Sequence, residues 1–193
     1  RCPLGSDGIA PSSQEKEQSP DPGRFSCQGT QTLWVPWSAV GNLYVVRHAD
    51  AGTRGQGDEP DELRSLTDRG RRQADGVRDH LIEAGVTQLV ASPFLRCVET
   101  LLPLAEHLGL SVRTDDRLAE GRGFVGALEL AEELRDAPAV ICSHGDVIPD
   151  LLDALLRRGI RLKDDLRWQK GSTWVLTRDG EGFTKGHYVP PTA

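Results

Sequence analysis

Two histidines and two arginines follow closely behind short apolar runs of the chain, namely Arg47, His48, Arg96 and His144. An arginine guanidinium stays charged at any working pH, and its fork of N–H groups matches two oxygens of a phosphate. A neutral imidazole is a nitrogen nucleophile near pH 7, and neighbouring cations keep its pKa from rising. These residue types together indicate attack on a phosphorus atom without a metal ion.

The two histidines suit different roles in such a reaction. His48 is the predicted nucleophile because it follows the first apolar run directly and has Arg47 beside it. His144 is predicted to donate a hydrogen bond to an equatorial phosphoryl oxygen, where charge concentrates in the loose transition state. Removing one such donor typically costs on the order of 10²–10³ in rate. Arg47 and Arg96 would neutralise most of the charge of a phosphate dianion.

The elements that must position these residues alternate between short apolar runs and longer helical patterns. The runs LYVV (43–46), QLVA (88–91) and AVIC (139–142) are typical of strands that are covered on both faces. The segments TWVLT (173–177) and FTKGHYV (183–189) indicate a closing hairpin. The sequence therefore predicts an α/β fold, a three-layer sandwich with a mainly parallel central sheet.

Polar residues stand where the three predicted parallel strands end. Ligands bind at this edge of a parallel sheet. Ser92 is predicted to be the N-cap of a helix with Pro93 at its first position, which leaves free backbone N–H groups beside Arg96. His144 and Gly145 precede a second helix in the same way. We therefore expect the three junctions to meet at one crevice that suits a phosphate.

Composition limits the partners of the chain. There are 23 Lys and Arg against 29 Asp and Glu, a formal charge of −6, so we expect no broad surface for nucleic acid or an anionic membrane. No run reaches the roughly 18 apolar residues of a membrane span. The four cysteines show no CxxC pairing. We expect a cytoplasmic protein without a metal or other cofactor, and the oligomeric state stays open.

The first 40 residues differ in composition from the rest. Residues 1–30 are crowded with Ser, Pro, Gly, Gln and charged residues and contain few aliphatic ones. Such a segment cannot bury enough surface to offset the entropy of ordering. We predict a disordered N-terminal extension over 1–40 and one domain over 41–193, which the length also favours.

Five segments occur in the order in which the histidine phosphatase superfamily carries its motifs. They are VVRHADAG (45–52), LTDRGRRQA (66–74), ASPFLRCVET (91–100), LAEG (118–121) and CSHGDVIP (142–149). Over residues 41–193 the chain thus resembles this superfamily, whose fold is shared with the phosphoglycerate mutases. Within it, the chain is most similar to the short SixA-like phosphohistidine phosphatases and to the phosphatase domain fused behind Nudix hydrolases.

The resemblance implies a metal-independent phosphatase. It assigns to His48 the role of the nucleophile that becomes phosphohistidine during hydrolysis of a phosphomonoester or phosphoramidate. It assigns Arg47, Arg96 and His144 to the phosphate pocket. The substrate would be a phosphorylated small molecule or a phosphoprotein, and phosphohistidine protein, nucleotide and sugar phosphate all fit.

The resemblance also implies two further site residues. Arg54 stands six residues after His48, where mutase-like members place an Asn that touches the phosphate, and we expect the same contact from it. Glu120 is expected to protonate the leaving group and later to activate water against the phosphohistidine. Asp115 and Asp116 lie nearby as alternative acids.

The sequence departs from the family pattern in two places. Ala49 stands where the signature commonly has Gly after Arg-His, and the region after Glu120 is shorter than the insertions of mutases. The shorter region disfavours a phosphomutase and predicts an open cleft. The sequence is also compatible with a non-catalytic module that binds phosphorylated ligands, and with a hydrolase whose metal is held by His48, His144 and carboxylates. The arginines weaken the metal hypothesis because they would repel a divalent ion.

Overall fold

The structure, a computed structural model, describes residues 41–55 and 60–192, so the predicted extension over 1–40 lies outside the described residues. The strands are β1 (Leu43–Arg47), β2 (Gln88–Ala91), β3 (Val112–Thr114), β4 (Ala139–Ser143), β5 (Arg161–Leu162), β6 (Thr173–Arg178) and β7 (Phe183–Val189). The α-helices are α1 (Asp68–Leu81), α2 (Leu95–Leu108), α3 (Val125–Glu133) and α4 (Val147–Arg157). Within the described residues, two 3₁₀ helices cover Asp61–Leu63 and Asp116–Leu118.

The strands of the described region form one mixed sheet in the order β3-β2-β4-β1-β6-β7-β5. Neighbours from β3 to β1 are parallel, as the sequence predicts. The predicted hairpin, β6 and β7, adds antiparallel pairings to β1, and the short β5 pairs in parallel with β7 at the edge. The α/β prediction is confirmed, with a sheet whose second half is mostly antiparallel.

Helices cover both faces of the sheet. Side chains of successive strand residues point to opposite faces. Val45 and Ile141 pack in the cluster that contains α3 and α4, whereas Val46 and Cys142 pack in the cluster that contains α1 and α2. Both faces of β1 and β4 are therefore buried, which explains their continuous apolar runs and confirms the predicted three layers.

The carboxyl ends of β1, β2 and β4 lie at one edge of the sheet. Arg47 at the end of β1 pairs in register with Ser143 at the end of β4. The backbone N–H of His48 donates to the carbonyl of Ser143 at 3.0 Å, and that of Ser92 donates to the carbonyl of Cys142 at 2.9 Å. These hydrogen bonds place the three polar junctions side by side, as predicted.

The start of α2 differs from the prediction. The helix begins at Leu95 with Phe94 as its N-cap, so Ser92 and Pro93 precede it. Phe94 supplies no side-chain cap, and its own backbone N lies 3.4 Å from Ser92 Oγ. The hydroxyl of Ser92, which accepts from this Phe94 N–H, is also hydrogen-bonded to the side chain of His144, a contact between distant segments that local spacing does not reveal.

Candidate active site

His48 lies immediately beyond β1 and is 6% exposed. Its Nδ1 lies 2.8 Å from the carbonyl oxygen of Ala49. Because a carbonyl can only accept a hydrogen bond, Nδ1 carries the proton and donates it, which leaves a lone pair on Nε2 of the neutral ring. The next backbone N–H, that of Ala49, donates to Thr100 Oγ1 at 2.9 Å and thereby ties this loop to α2.

Burial holds His48 in its neutral form. Loss of solvent is the main cause that lowers its pKa to about 3, and the positive charges of Arg96 and Arg47 and the nearby His144 lower it further. The hydrogen bond to Ala49 opposes this shift only in part. At neutral pH the imidazole is therefore uncharged and able to act as a nucleophile.

His144 is buried beside His48, with 5.3 Å between the ring centroids. Its Nδ1 lies 3.3 Å from Arg96 Nη2, and its Nε2 lies 2.8 Å from Ser92 Oγ. A guanidinium can only donate, so Nδ1 accepts and Nε2 carries the proton that goes to Ser92. A hydroxyl can also donate, so rotation of the Ser92 O–H would support the opposite tautomer, with the proton on Nδ1, once Arg96 Nη2 donates to another acceptor.

Arg96 is 1% exposed, and its guanidinium is held on several sides. Nη1 donates to the carbonyl oxygen of Asp61 at 2.8 Å and lies 3.2 Å from the Asp61 carboxylate. Nη2 donates to Glu120 Oε2 at 2.7 Å. The guanidinium carbon lies 4.6 Å from the centroid of the Phe94 ring, a cation–π distance. The fork is therefore fixed with one nitrogen directed to Glu120 and His144.

Arg47 approaches the site from the end of β1. Its Nη1 donates to the carbonyl of Trp168 at 2.6 Å. Its guanidinium lies against Gly145, where an added Cβ would be 2.8 Å from Arg47 Cζ, so a glycine is needed for this approach. Burial lowers the pKa of Arg47, while the charges of Asp146 and Glu120 raise it, and the group keeps its charge at any working pH.

Glu120 and Arg54 form the exposed side of the site. The Arg54 side chain is 63% exposed, and its Nη2 donates to Glu120 Oε2 at 2.7 Å and to Asp61 Oδ2 at 3.0 Å. Glu120 Oε2 thus accepts from Arg54 and Arg96 and lies 4.0 Å from His144 Nδ1. Two guanidinium donors converge on one oxygen atom beside the histidines, an arrangement that can bind an oxyanion.

The structure brings together all the site residues that the sequence predicts. They are Arg47, His48, Arg54, Arg96, Glu120 and His144. The alternative acid Asp115 has other partners, because its carboxylate caps the second 3₁₀ helix and pairs with Arg117 and Arg113. Asp116 lies within that helix. Of the three acids, Glu120 is the one that contacts the arginines of the site.

Sequence reasoning did not predict the site contacts of three residues of this region. Asp61 accepts from the arginines, and Ser92 bonds the ring of His144. Asp146 Oδ2 accepts from the backbone N–H of Gly121 at 2.7 Å and so holds the loop that carries the acid. No spacing in the sequence marks Asp61. A signal for Ser92 existed, since it stands at a strand end inside a motif.

Two further properties of the described residues bear on metal binding and on membrane insertion. Within residues 41–55 and 60–192, no group of three or more His, Cys, Asp and Glu side chains is arranged to hold a metal ion. No helix in these ranges combines the length and the apolar character that crossing a membrane requires.

Comparisons with known proteins point to the same family as the sequence motifs. Residues 43–124 match the family model of the histidine phosphatase superfamily (branch 1). The chain is also 35% identical over 155 residues to an 8-oxo-(d)GTP phosphatase of Mycolicibacterium smegmatis, a match that covers 77% of this chain and 48% of that protein. The chain therefore spans about half the length of this relative.

Solved structures share the fold at lower identity. A SixA protein from Nakamurella multipartitia aligns with a TM-score of 0.64 at 22% identity, over 79% of this chain and 97% of its own. The protein histidine phosphatase SixA in complex with tungstate aligns with a TM-score of 0.59 at 21% identity, over 79% of this chain and 96% of its own. A mycobacterial glucosyl-3-phosphoglycerate phosphatase in complex with VO3 aligns with a TM-score of 0.56 at 20% identity, over 79% of this chain and 100% of its own.

Proposed function

The chain belongs to the histidine phosphatase superfamily, and we propose that it hydrolyses a phosphomonoester or phosphoramidate through a phosphohistidine on His48. The observation that carries this proposal is the state of that ring. His48 is buried and neutral, it donates from Nδ1 to Ala49, and it lies among the guanidinium groups of Arg47 and Arg96. This environment suits an imidazole whose Nε2 attacks an anion that arginines hold.

Substrate binding would replace one anion by another. Glu120 Oε2 accepts from Arg54 and Arg96, and the oxygens of an incoming phosphoryl group would take over these donors. Arg47 would supply a further guanidinium from the end of β1. The donors are already oriented by their other partners, so little reorganisation is needed when charge develops on the phosphoryl oxygens.

In the first chemical step, His48 Nε2 would form a bond to phosphorus while the bond from phosphorus to the leaving group breaks. The electron pair departs with the leaving oxygen or nitrogen, which takes a proton from the carboxyl group of Glu120. The hydrogen bond from Nδ1 to Ala49 stabilises the phosphorylated ring.

In the second step, the Glu120 carboxylate would take a proton from water while the water oxygen bonds phosphorus. The bond between phosphorus and Nε2 breaks, its electron pair returns to His48, and inorganic phosphate leaves. His144 would assist in both steps as an Nδ1–H donor to a phosphoryl oxygen, a tautomer that the Ser92 hydroxyl can support by donating to Nε2.

The substrate proposal is a phosphorylated small molecule or a phosphoprotein. The relative in M. smegmatis is named for a nucleotide, which favours including nucleotides among the candidates. The SixA-like or Nudix-fused subgroup, the cytoplasmic location, the absence of a cofactor and the disorder of residues 1–40 stay predictions. A phosphate-release screen over phosphoproteins, nucleotides and sugar phosphates would separate the substrate classes, since the residues described bind only the phosphoryl group.

The proposal is tested with His48→Ala and an aryl phosphate. We expect kcat to fall by at least about 10³-fold and the acid-labile phosphate label to disappear, because the nucleophile is lost. The exposed histidine of α2 serves as matched control in His107→Ala, which should keep both signals. Full activity of His48→Ala refutes the assignment. Tight phosphate binding by the wild type without turnover favours the binding module, and dependence on a divalent ion favours the metal hydrolase.

A further inference from the structure

Asp61 contacts three arginines although it lies outside the five segments that carry the family resemblance. Its carboxylate accepts from Arg54 Nη2 at 3.0 Å and from Arg64 Nε at 2.9 Å, and it lies 3.2 Å from Arg96 Nη1. Its backbone carbonyl accepts from the same Arg96 nitrogen at 2.8 Å. One residue therefore contacts both arginines that share Glu120.

These contacts determine which nitrogen of Arg96 faces the site, and they hold Nη2 of Arg54 between Asp61 and Glu120. Asp61 occupies Nη1 of Arg96 with its carbonyl and its carboxylate, which leaves Nη2 directed to Glu120. Arg54 is long and exposed, and holding such a side chain in one rotamer costs conformational entropy. An anchor made before the substrate arrives removes this cost from binding.

Arg64 connects Asp61 to the loop behind the nucleophile. While its Nε donates to Asp61, its Nη1 donates to the carbonyls of Ala51 at 2.8 Å and Gly52 at 3.3 Å. The loop that carries Arg54 and the first turn of α2 are thus joined through one carboxylate. The hydrogen bonds from Arg54 and Arg64 and the charge of Arg96 hold the pKa of Asp61 well below its usual range, so it stays ionised.

We propose that Asp61 is a positioning residue that holds Arg96 and Arg54 in the orientation that binds the phosphoryl group. The inference rests on the proposed function, because it assumes that these arginines bind the substrate. An anionic residue near an anion site would by charge alone weaken phosphate binding. Positioning and charge therefore act in opposite directions, and the sign of the mutational effect distinguishes them.

The test compares Asp61→Asn with Glu62→Gln, an exposed neighbour in the same 3₁₀ helix whose substitution changes the net charge equally. Inorganic phosphate and tungstate are titrated by calorimetry, and kcat and KM are measured with an aryl phosphate. For Asp61→Asn we expect oxyanion binding and kcat/KM to fall by about 10- to 100-fold, because charge-assisted hydrogen bonds that orient the arginines are lost. Glu62→Gln should stay within about twofold of wild type.

Unchanged or tighter oxyanion binding by Asp61→Asn would overturn the proposal. Asp61→Glu keeps the charge and should recover part of the affinity, whereas a purely structural role predicts a lower Tm with wild-type affinity in the folded fraction. If Asp61→Asn does not fold, Arg64→Lys keeps the charge but lacks the fork that joins Asp61 to the carbonyls of Ala51 and Gly52, and it should still weaken phosphate binding; wild-type affinity there contradicts the idea. Oxyanion binding is measured without turnover. A wild-type protein that binds inorganic phosphate but hydrolyses no phosphorylated substrate therefore refutes the proposed function and leaves the role of Asp61 in oxyanion binding testable.

Discussion

The site has two halves that are built differently. The inner half consists of Arg47, His48, Arg96 and His144, which are buried or half-buried at the ends of strands and in the first turn of a helix. The outer half consists of Arg54, Asp61 and Glu120, whose side chains are 63%, 21% and 32% exposed. Backbone register positions most of the inner half, whereas salt bridges between loops position the outer half.

This difference indicates which interactions contribute most to binding and stabilising the phosphoryl group. Buried charge-assisted hydrogen bonds are shielded from water and salt, while exposed ion pairs contribute little by themselves. The inner half should therefore supply the nucleophile and most of the electrostatic stabilisation of the transition state. The two outer residues other than Glu120, Arg54 and Asp61, should act mainly by orienting the inner arginine, whereas Glu120 gives its donors to the substrate and then transfers protons.

The largest test of this comparison replaces one arginine from each half by lysine. A lysine at position 96 cannot hold Asp61 and reach the phosphoryl group at once, because an ammonium lacks the planar fork. We expect Arg96→Lys to lower kcat/KM by about 10²- to 10³-fold. The same change at the exposed Arg54 should cost about tenfold or less. Steady-state kinetics with one aryl phosphate measure both, and equal losses would contradict the division into halves.

The division also describes what the sequence could predict. The inner half follows from local patterns, since apolar runs identify buried strands and the polar residues directly after them share one edge. Arg54 and Glu120 follow only from the family resemblance. Asp61 could not be predicted, because its partners Arg54, Arg64 and Arg96 meet through loops that no periodicity describes.

The errors have physical causes as well. Local rules make Ser92 a helix cap, but its hydroxyl bonds His144, a residue that is distant in sequence. The strands β3 and β5 are only three and two residues long, too short for an alternating pattern to appear. Long-range side-chain bonds and short edge strands are thus what sequence patterns leave out.

A second test uses the stability of the inner half against pH. The pKa of His48 is lowered from 6.5 to about 3 in the folded chain, so between these values the unfolded chain binds the extra proton. Stability is therefore lost as the pH falls. Because the two states bind protons differently, the titration of His48 should lower the free energy of unfolding by about 2 kcal/mol when the pH falls from 7 to 5.

The variant His48→Gln removes this titration, and denaturant unfolding at both pH values measures the difference. The wild type should lose more stability than the variant over this interval. Equal losses would mean that His48 becomes protonated in the folded chain over this interval. That result would refute the assignment of His48 as a neutral nucleophile. Asp61 does not interfere, because its contribution is lost only as the pH falls below the usual range of an aspartate.

A smaller effect than that of Arg96→Lys is expected for Ser92, which acts on the reaction through His144. Ser92→Ala leaves Nε2 of His144 without the partner at 2.8 Å and with the Cys97 sulfur at 3.5 Å. We expect kcat to fall by about tenfold, the cost of one buried hydrogen bond, with KM less affected. The ¹⁵N chemical shifts of the His144 ring report its tautomer. They should respond to added phosphate in the wild type and lose this response in the variant.

Ser172→Ala serves as the matched control for this variant, because Ser172 is also buried near the site but contributes its backbone carbonyl, which accepts from the Arg47 N–H. A control that loses as much kcat as Ser92→Ala would mean that general loosening of the strand ends explains the effect. If added phosphate does not change the tautomer of His144 in either protein, His144 is not a hydrogen-bond donor to the phosphoryl oxygens. The arginines are then the donors to these oxygens. The inner half would then act by charge and geometry alone, with His48 as its one reacting histidine.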